Sequence, residues 1–501
     1  MVNPHILLLV TDQFRFDAWN ADTTPNLHKL AQSGVTFSRA YSSTPTCTPS
    51  RAGLLTGRSP WSHGMLGYDS EVSCELYPTT LPSALSNYGD YETFISGKDH
   101  FGVHDIDDDG DARFVSHGYQ HLKLYDGLTE EEDHYDEWFA SETGGADPMA
   151  TGNLTWNAWQ GAPYVYEENL HPTSWTSDEA LNFLSDFDFS DSNDKKMFLK
   201  ASFHRPHSPY DPPKRLYDKD VNAPDDGRYA RNVNSGSWDD AYFVDNENGT
   251  AMAKEAWHGD PGEDAARLSR AAYLASVEFV DENIGKLLDW ISDSGLDDDF
   301  LVIWVADHGD MNGDHNLWRK GYPWEESAHV PLVIRPDATT RTTSTPVSVD
   351  SVVEIRDVAP TIWDAAGILP SVLLSDPQVD GSSLLPILSG TSTSVREWLD
   401  LEHNPVYNAT VHWNAIVSDT GMKYVFNAFD GSENLFNLTA DPSEADDLAM
   451  RQEWQGEVAK WRGVMVGQFE AEGRGEDWVK DGELQLRKTG ELTHSPNFPC
   501  L

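Results

Sequence analysis

The chain has 501 residues, and 83 acidic against 35 basic side chains leave a formal net charge of -48, although only 24% of residues are charged. With 18 Trp, 18 Tyr and 20 Phe it carries enough large apolar surface for a packed core, which excludes a disordered acidic chain. The charge repels phosphate backbones and anionic lipid, so nucleic-acid and general membrane binding are excluded, and its even spread reads as the hydrated surface of a halophilic protein.

Cys47, Cys74 and Cys500 are too few, and odd in number, for a disulfide framework. No apolar run reaches the roughly 20 residues needed to span a bilayer, and no secretory leader pattern opens the chain. The expectation is a cytoplasmic protein, with the sequons at Asn153, Asn248, Asn408 and Asn437 chance matches.

In chain order, three short apolar runs end in chemically capable residues: 6–10 before Asp12-Gln13, 197–203 before His204 and His207, and 300–305 before Asp307-His308. Each reads as a buried parallel strand. Between the last two, 265–294 reads as a helix, because Leu268, Ala272, Val277, Val280, Ile284, Leu287, Leu288 and Ile291 keep a 3.6-residue period and Gly295 supplies a stop. Alternating strands and helices imply an α/β fold, a sheet covered on both faces, with its site beyond the carboxyl ends of the strands. Three acidic, Gly-containing stretches, 107–111, 143–161 and 218–262, read as insertions over that end. The character changes near Ser389-Gly390. Runs at 411–417, 423–429 and 434–438, separated by turn residues, read as a small antiparallel sheet, and 443–470 as a helix. The expected organisation is a domain of residues 1–389 and an α+β subdomain of residues 390–501.

The most informative segment is Cys47-Thr48-Pro49-Ser50-Arg51-Ala52-Gly53-Leu54-Leu55-Thr56-Gly57-Arg58. Pro49 and Ser50 suit a helix start, so Cys47 sits at a helix N-terminus that favours negative charge. Taken alone, Cys47 reads as a thiolate nucleophile, a metal ligand or a small buried residue. Lys98 and His100, in Gly97-Lys98-Asp99-His100, taken alone read as surface residues. His63, His315 and His403 read as structural or rim residues, and His204 as a strand-end residue facing the site.

Together these segments resemble the sulfatase family of the alkaline phosphatase superfamily: the Cys47 segment its first signature, and 89–102 its second. Asp12-Gln13, Pro206-His207-Ser208-Pro209 and the run from Asp307-His308-Gly309 through Lys320 to Val330-Pro331-Leu332 extend the likeness. So do 380–386 and 433–442. The resemblance implies an alkaline-phosphatase-like, mostly parallel mixed sheet flanked by helices. It implies Cys47 oxidised to Cα-formylglycine by a formylglycine-generating enzyme, and a divalent cation held by Asp12, Gln13, Cys47, Asp307 and His308. That cation is Ca²⁺, with Mn²⁺ the alternative an imidazole ligand admits. Its further implications are His100 as the base on the gem-diol, His207 and Lys320 at the leaving group, and Arg51 and Lys98 on the diol and sulfate oxygens.

Two departures matter. Gln13 stands where many sulfatases have Asp, and His308 where many have Asn. These pairs resemble choline-sulfatase-like members and phosphonate monoester or phosphodiester hydrolases. The expected substrate is a small-molecule or glycan sulfate ester, aryl or carbohydrate, with a phosphorus ester as the alternative. An unmodified Cys47 would instead leave an anion-binding scaffold.

Overall fold

In the computed structural model the described residues are 3–68, 77–100, 105–106, 112–113, 116–127, 133–148, 150, 154–190, 195–224, 227–232, 252–342, 345, 347–405, 407, 410–488 and 493–499. Cys74, Cys500, Asn153, Asn248, Asn408, the 107–111 stretch and much of 218–262 lie outside them.

Strand His5–Asp12 is buried along its whole length, so its sheet is covered on both faces. It lies between Lys196–Pro206 and Phe300–Ala306, parallel to both. Tyr91–Gly97 and then His121–Leu124 continue the parallel block on one side. On the other side Leu332–Arg335 runs antiparallel, followed by Val35–Tyr41 and Ser348–Glu354, which run parallel to each other. With the short strand His329–Val330 on Val35–Tyr41, this is a nine-stranded, mostly parallel mixed sheet. Its cover comes from two helix groups. One comprises Pro25–Ser33, Pro172–Asp186 and Glu263–Asp293, and the other Cys47–Thr56, Leu81–Tyr88 and Val358–Ala365. All contribute to one apolar core.

The 31-residue helix Glu263–Asp293 stops before Gly295, whose φ of 71° is left-handed. Six of its eight expected apolar positions are fully buried and Leu288 is partly so, but Leu268 is exposed. At that end the buried stripe runs through Ala266, Arg270 and Tyr273, a face to which position 268 does not belong.

A second, antiparallel sheet lies near the C-terminus, in the order Trp398–His403, Trp413–Ser418, Met422–Asn427, Glu433–Asn437. Side chains alternate. Leu399, Leu401, Trp413, Ala415, Val417, Val425 and Phe436 pack with Tyr41, Met311 and Trp324, whereas Ile416, Tyr424, Phe426 and Leu435 pack with Val458, Trp461, Met465 and Phe469 of helix Gln455–Ala471. That helix is shorter than 443–470. After Pro442, Glu444 takes φ 51°, and the carboxylates of Asp441 and Asp447 accept backbone N–H groups of Asp446, Leu435 and Ala449. These local bonds compete with helix. The edge strand Trp398–His403 was not anticipated.

Candidate active site

The carboxyl ends of the parallel strands deliver the chemistry. Asp12 ends one strand, Lys98 follows Tyr91–Gly97, His204 and His207 lie at the end of Lys196–Pro206, and Asp307 follows Phe300–Ala306. Gly97 makes the turn possible: its φ is 91°, and a Cβ there would come within 2.0 Å of the Ser202 carbonyl oxygen. Cys47 opens helix Cys47–Thr56. Thr46 gives no side-chain cap to that helix because its hydroxyl meets His403 Nε2 at 2.9 Å. Cys47 thus stands at the helix end whose dipole favours negative charge.

All ten anticipated side chains converge here, and all are buried. The Cys47 sulfur lies 3.3 Å from His308 Nε2, 3.0 Å from Lys320 Nζ and 3.9 Å from Asp12 Oδ1, and it favours the charged forms of His100 and His207. Lys98 Nζ is 2.6 Å from Asp12 Oδ2. Arg51 donates through Nε to Asp307 Oδ2 at 2.8 Å and reaches Asp12 Oδ2 at 3.5 Å. Its Nη1 is fixed by the Lys98 carbonyl and the Ser202 hydroxyl. Gln13, with φ 64°, receives Lys320 on its side-chain oxygen at 2.9 Å and donates to Asp310 Oδ2 at 2.5 Å.

Charge decides the protonation states. Burial opposes ionisation of Asp12, yet Lys98, His207, Lys320 and Arg51 hold its carboxyl well below the usual range. Burial and Asp12 push the Cys47 thiol up, but Lys320, Lys98 and His308 prevail and hold it well below its ordinary value. Burial and Lys98 push His100 down. Burial and Lys320 push His207 down to about 3.

Asp12, Cys47, Asp307 and His308 offer ligand atoms that all lie within 4.8 Å of one another. His308 Nδ1 sits 2.9 Å from the Gly309 carbonyl oxygen, so Nδ1–H donates there and Nε2 is the ring nitrogen that faces the cluster. Two carboxylates and an oriented imidazole fit a divalent cation.

Several contributors were not anticipated. Asp310 holds Gln13, a role readable only from its place in the Asp307-His308-Gly309 run. The Asp126 carboxylate accepts the N–H groups of Asp99 and His100 and so holds the left-handed turn at His100, whose φ is 68°. Asp99 pairs with Lys200 at 2.8 Å. From the 143–161 stretch, Trp156 packs against His204 and His207, with ring centroids 4.9 and 6.3 Å apart. His63 and His403 are buried: His63 Nδ1 accepts the Met65 N–H, and His403 meets the distant Thr46 hydroxyl through Nε2 and the Asn404 carbonyl oxygen through Nδ1. Buried His315 lies 3.8 Å from Glu326.

A family model described as Sulfatase matches residues 4–368. An arylsulfatase of Clostridium perfringens is 33% identical over 96% of this chain and 97% of its own length, and a choline-sulfatase of Rhizobium meliloti is 28% identical over 89% of this chain and 82% of its own. Among solved structures, phosphonate monoester hydrolase of Agrobacterium radiobacter has a TM-score of 0.72 at 23% identity, over 94% of this chain and 96% of that one, a likeness of fold. With the family model covering the whole nine-stranded sheet and the relatives covering nearly the whole chain, the protein belongs to the sulfatase family and is a sulfuric ester hydrolase.

Proposed function

We propose that the protein hydrolyses sulfate monoesters of aryl or carbohydrate alcohols, with Cys47 as formylglycine and a divalent cation at Asp12, Gln13, Asp307, His308 and residue 47. The observation that carries the reading is the position of the Cys47 sulfur, 3.0 Å from Lys320 Nζ and 3.3 Å from His308 Nε2, in one cluster with the Asp12 and Asp307 carboxylates. Calcium is the ion proposed first, and metal analysis distinguishes it from manganese. When bound, the cation neutralises sulfate oxygens and sharpens the nucleophile. Formylglycine supplies a hydrated aldehyde with one hydroxyl to attack sulfur and a second whose deprotonation expels sulfate.

The remaining work belongs to the chain's own groups. His100, held neutral by burial and Lys98, takes the proton of the second hydroxyl. Arg51 and Lys98 fix the oxygens that carry charge. His207 donates Nδ1–H to the Ser208 carbonyl oxygen and is neutral, so it presents a lone pair and orients, leaving the Lys320 ammonium to stabilise the departing alkoxide. The Lys98 and His100 pair favours sulfate over phosphorus esters. Mass analysis of the peptide containing residue 47, with kcat/KM for aryl sulfate, glycan sulfates, choline sulfate and a phosphonate monoester, tests the reading. A thiol at residue 47 in active protein, or a preference for the phosphonate, refutes it.

A further inference from the structure

Arg319 stands out by its place: like Arg267 and Arg487 it makes no ion pair among the described residues, but unlike them it adjoins Lys320. In this acidic protein Arg15, Arg51, Arg58, Arg205 and Arg474 each hold a carboxylate. Arg319 has no ion-pair partner among the described residues, although it immediately precedes Lys320, whose ammonium is 3.0 Å from the Cys47 sulfur. Its backbone is turned into the left-handed region, at φ 69°. Only Nε is committed, donating to the Asn157 carbonyl oxygen at 3.3 Å. The guanidinium lies over the Tyr407 ring, 5.3 Å from its centroid, and Tyr407 in turn stacks on Trp257 at 5.7 Å with an interplanar angle of 11°.

Two walls therefore meet at this arginine. One is the Trp156-Asn157 segment, whose Trp156 packs on His204 and His207. The other is the Tyr407 and Trp257 stack, whose Tyr407 hydroxyl accepts the Lys320 N–H at 3.4 Å. The reacting sulfate already has Arg51, Lys98 and Lys320. A fourth cation, partly open to solvent and with its Nη donors uncommitted, has no task in neutralising that group. A guanidinium lying on an aromatic face presents its fork to carboxylate or sulfate oxygens. In a protein whose field repels anions, such local donors are what admits one.

We propose that Arg319 forms a subsite for a second anionic group, a carboxylate or a further sulfate, on the alcohol that carries the scissile sulfate. The inference rests on the sulfatase reading above and narrows it to sulfate esters bearing two anions. The experiment compares kcat/KM for paired substrates that differ only in the second anion: 4-nitrophenyl sulfate with a carboxylated aryl sulfate, and a monosulfated with a disulfated aminosugar. Wild type, Arg319→Gln and Arg319→Lys are measured with each pair, and turnover of the monoanionic member reports that each variant is folded.

Hydrogen bonds to charged groups support a preference of about 10- to 100-fold for one dianionic member. Arg319→Gln should collapse that ratio toward unity, mainly through KM, and Arg319→Lys should keep part of it. Which pair responds tells carboxylate from sulfate. A wild-type ratio near unity in both pairs, or equal losses for both members in Arg319→Gln, overturns the subsite while leaving sulfate hydrolysis standing. Failure of wild type on every sulfate ester overturns the underlying reading and the subsite with it.

Discussion

Replacing Lys200 by Met removes a buried cation from the middle of a central strand, beside the signature rather than within it. Lys200 Nζ lies 2.8 Å from Asp99 Oδ1, and both side chains are at most 5% exposed. At that distance an effective dielectric constant of about 20 gives about 6 kcal/mol of attraction, most of which offsets desolvation. Removing one partner of such a pair costs about 3–5 kcal/mol, because the other charge is left buried. The expectation is a loss of that size for Lys200→Met. The double variant with Asp99→Asn should recover at least about 2 kcal/mol of it, within the range of direct couplings.

The pH dependence has a defined sign. In the wild type burial raises the Asp99 carboxyl, but Lys200 and His117 outweigh it and hold the pKa below the ordinary value, so its stabilisation is present above the unfolded pKa and lost as pH falls. Without Lys200, burial prevails and the folded pKa rises above the unfolded value of about 3.9. The deficit is then small near pH 4 and grows as pH rises through the new folded pKa toward neutrality. Urea denaturation of the wild type, both single variants and the double at pH 5 and pH 8, at one fixed salt concentration, measures this. A single variant within about 1 kcal/mol of wild type at pH 8, or a double variant as unstable as the summed singles, refutes the reasoning.

Cys47→Ala should abolish turnover, by at least about 10⁴-fold, with a near-wild-type circular dichroism spectrum, since it deletes the reacting atom but little core volume. Asp307→Ala should lose the divalent ion on dialysis and be destabilised, because it removes an anionic ligand and leaves Arg51 with only the longer of its two ion pairs, to Asp12; metal content by mass spectrometry and a melting curve check both effects. His100→Ala should slow release of sulfate more than its transfer, by about 10²- to 10⁴-fold. Stopped-flow traces should then show a burst of alcohol followed by slow turnover, and a trace without a burst would remove His100 from that step.

Much of the site was legible because its chemistry is packed into short segments at strand ends. The runs before Asp12 and Asp307 are apolar, and the run before His204 is so apart from Lys200 and Ser202, as suits buried parallel strands, and each proved to be a central strand. What escaped depends on contacts between distant segments. The strand Trp398–His403 carries Asp400 and Glu402, which look like surface residues until Arg356 and Arg474 are seen beside them. The span 443–470 reads as one helix, and the helix begins only at Gln455, because nothing in the sequence reveals that Asp447 will be spent on the Leu435 and Ala449 amides. Asp126, Trp156 and Arg319 belong to loops with no pattern of their own, and only tertiary packing sets Asp126 on the His100 amide, Trp156 on His204 and His207, and Arg319 on Tyr407.

The strand that comes first in the chain ends up in the middle of the sheet, between partners drawn from residues 196–206 and 300–306. Its neighbours are made long after it is. Lys320 follows Cys47 by more than half the chain, so at translation rates of about 5–20 residues per second roughly 15–60 s separate the emergence of the two. During that interval neither the central pairing nor the wall of groups around the thiol can exist. The side chain that is 1% exposed in the finished protein thus spends its first moments in the open. Any enzyme that must reach it works against a clock set by the topology of the sheet.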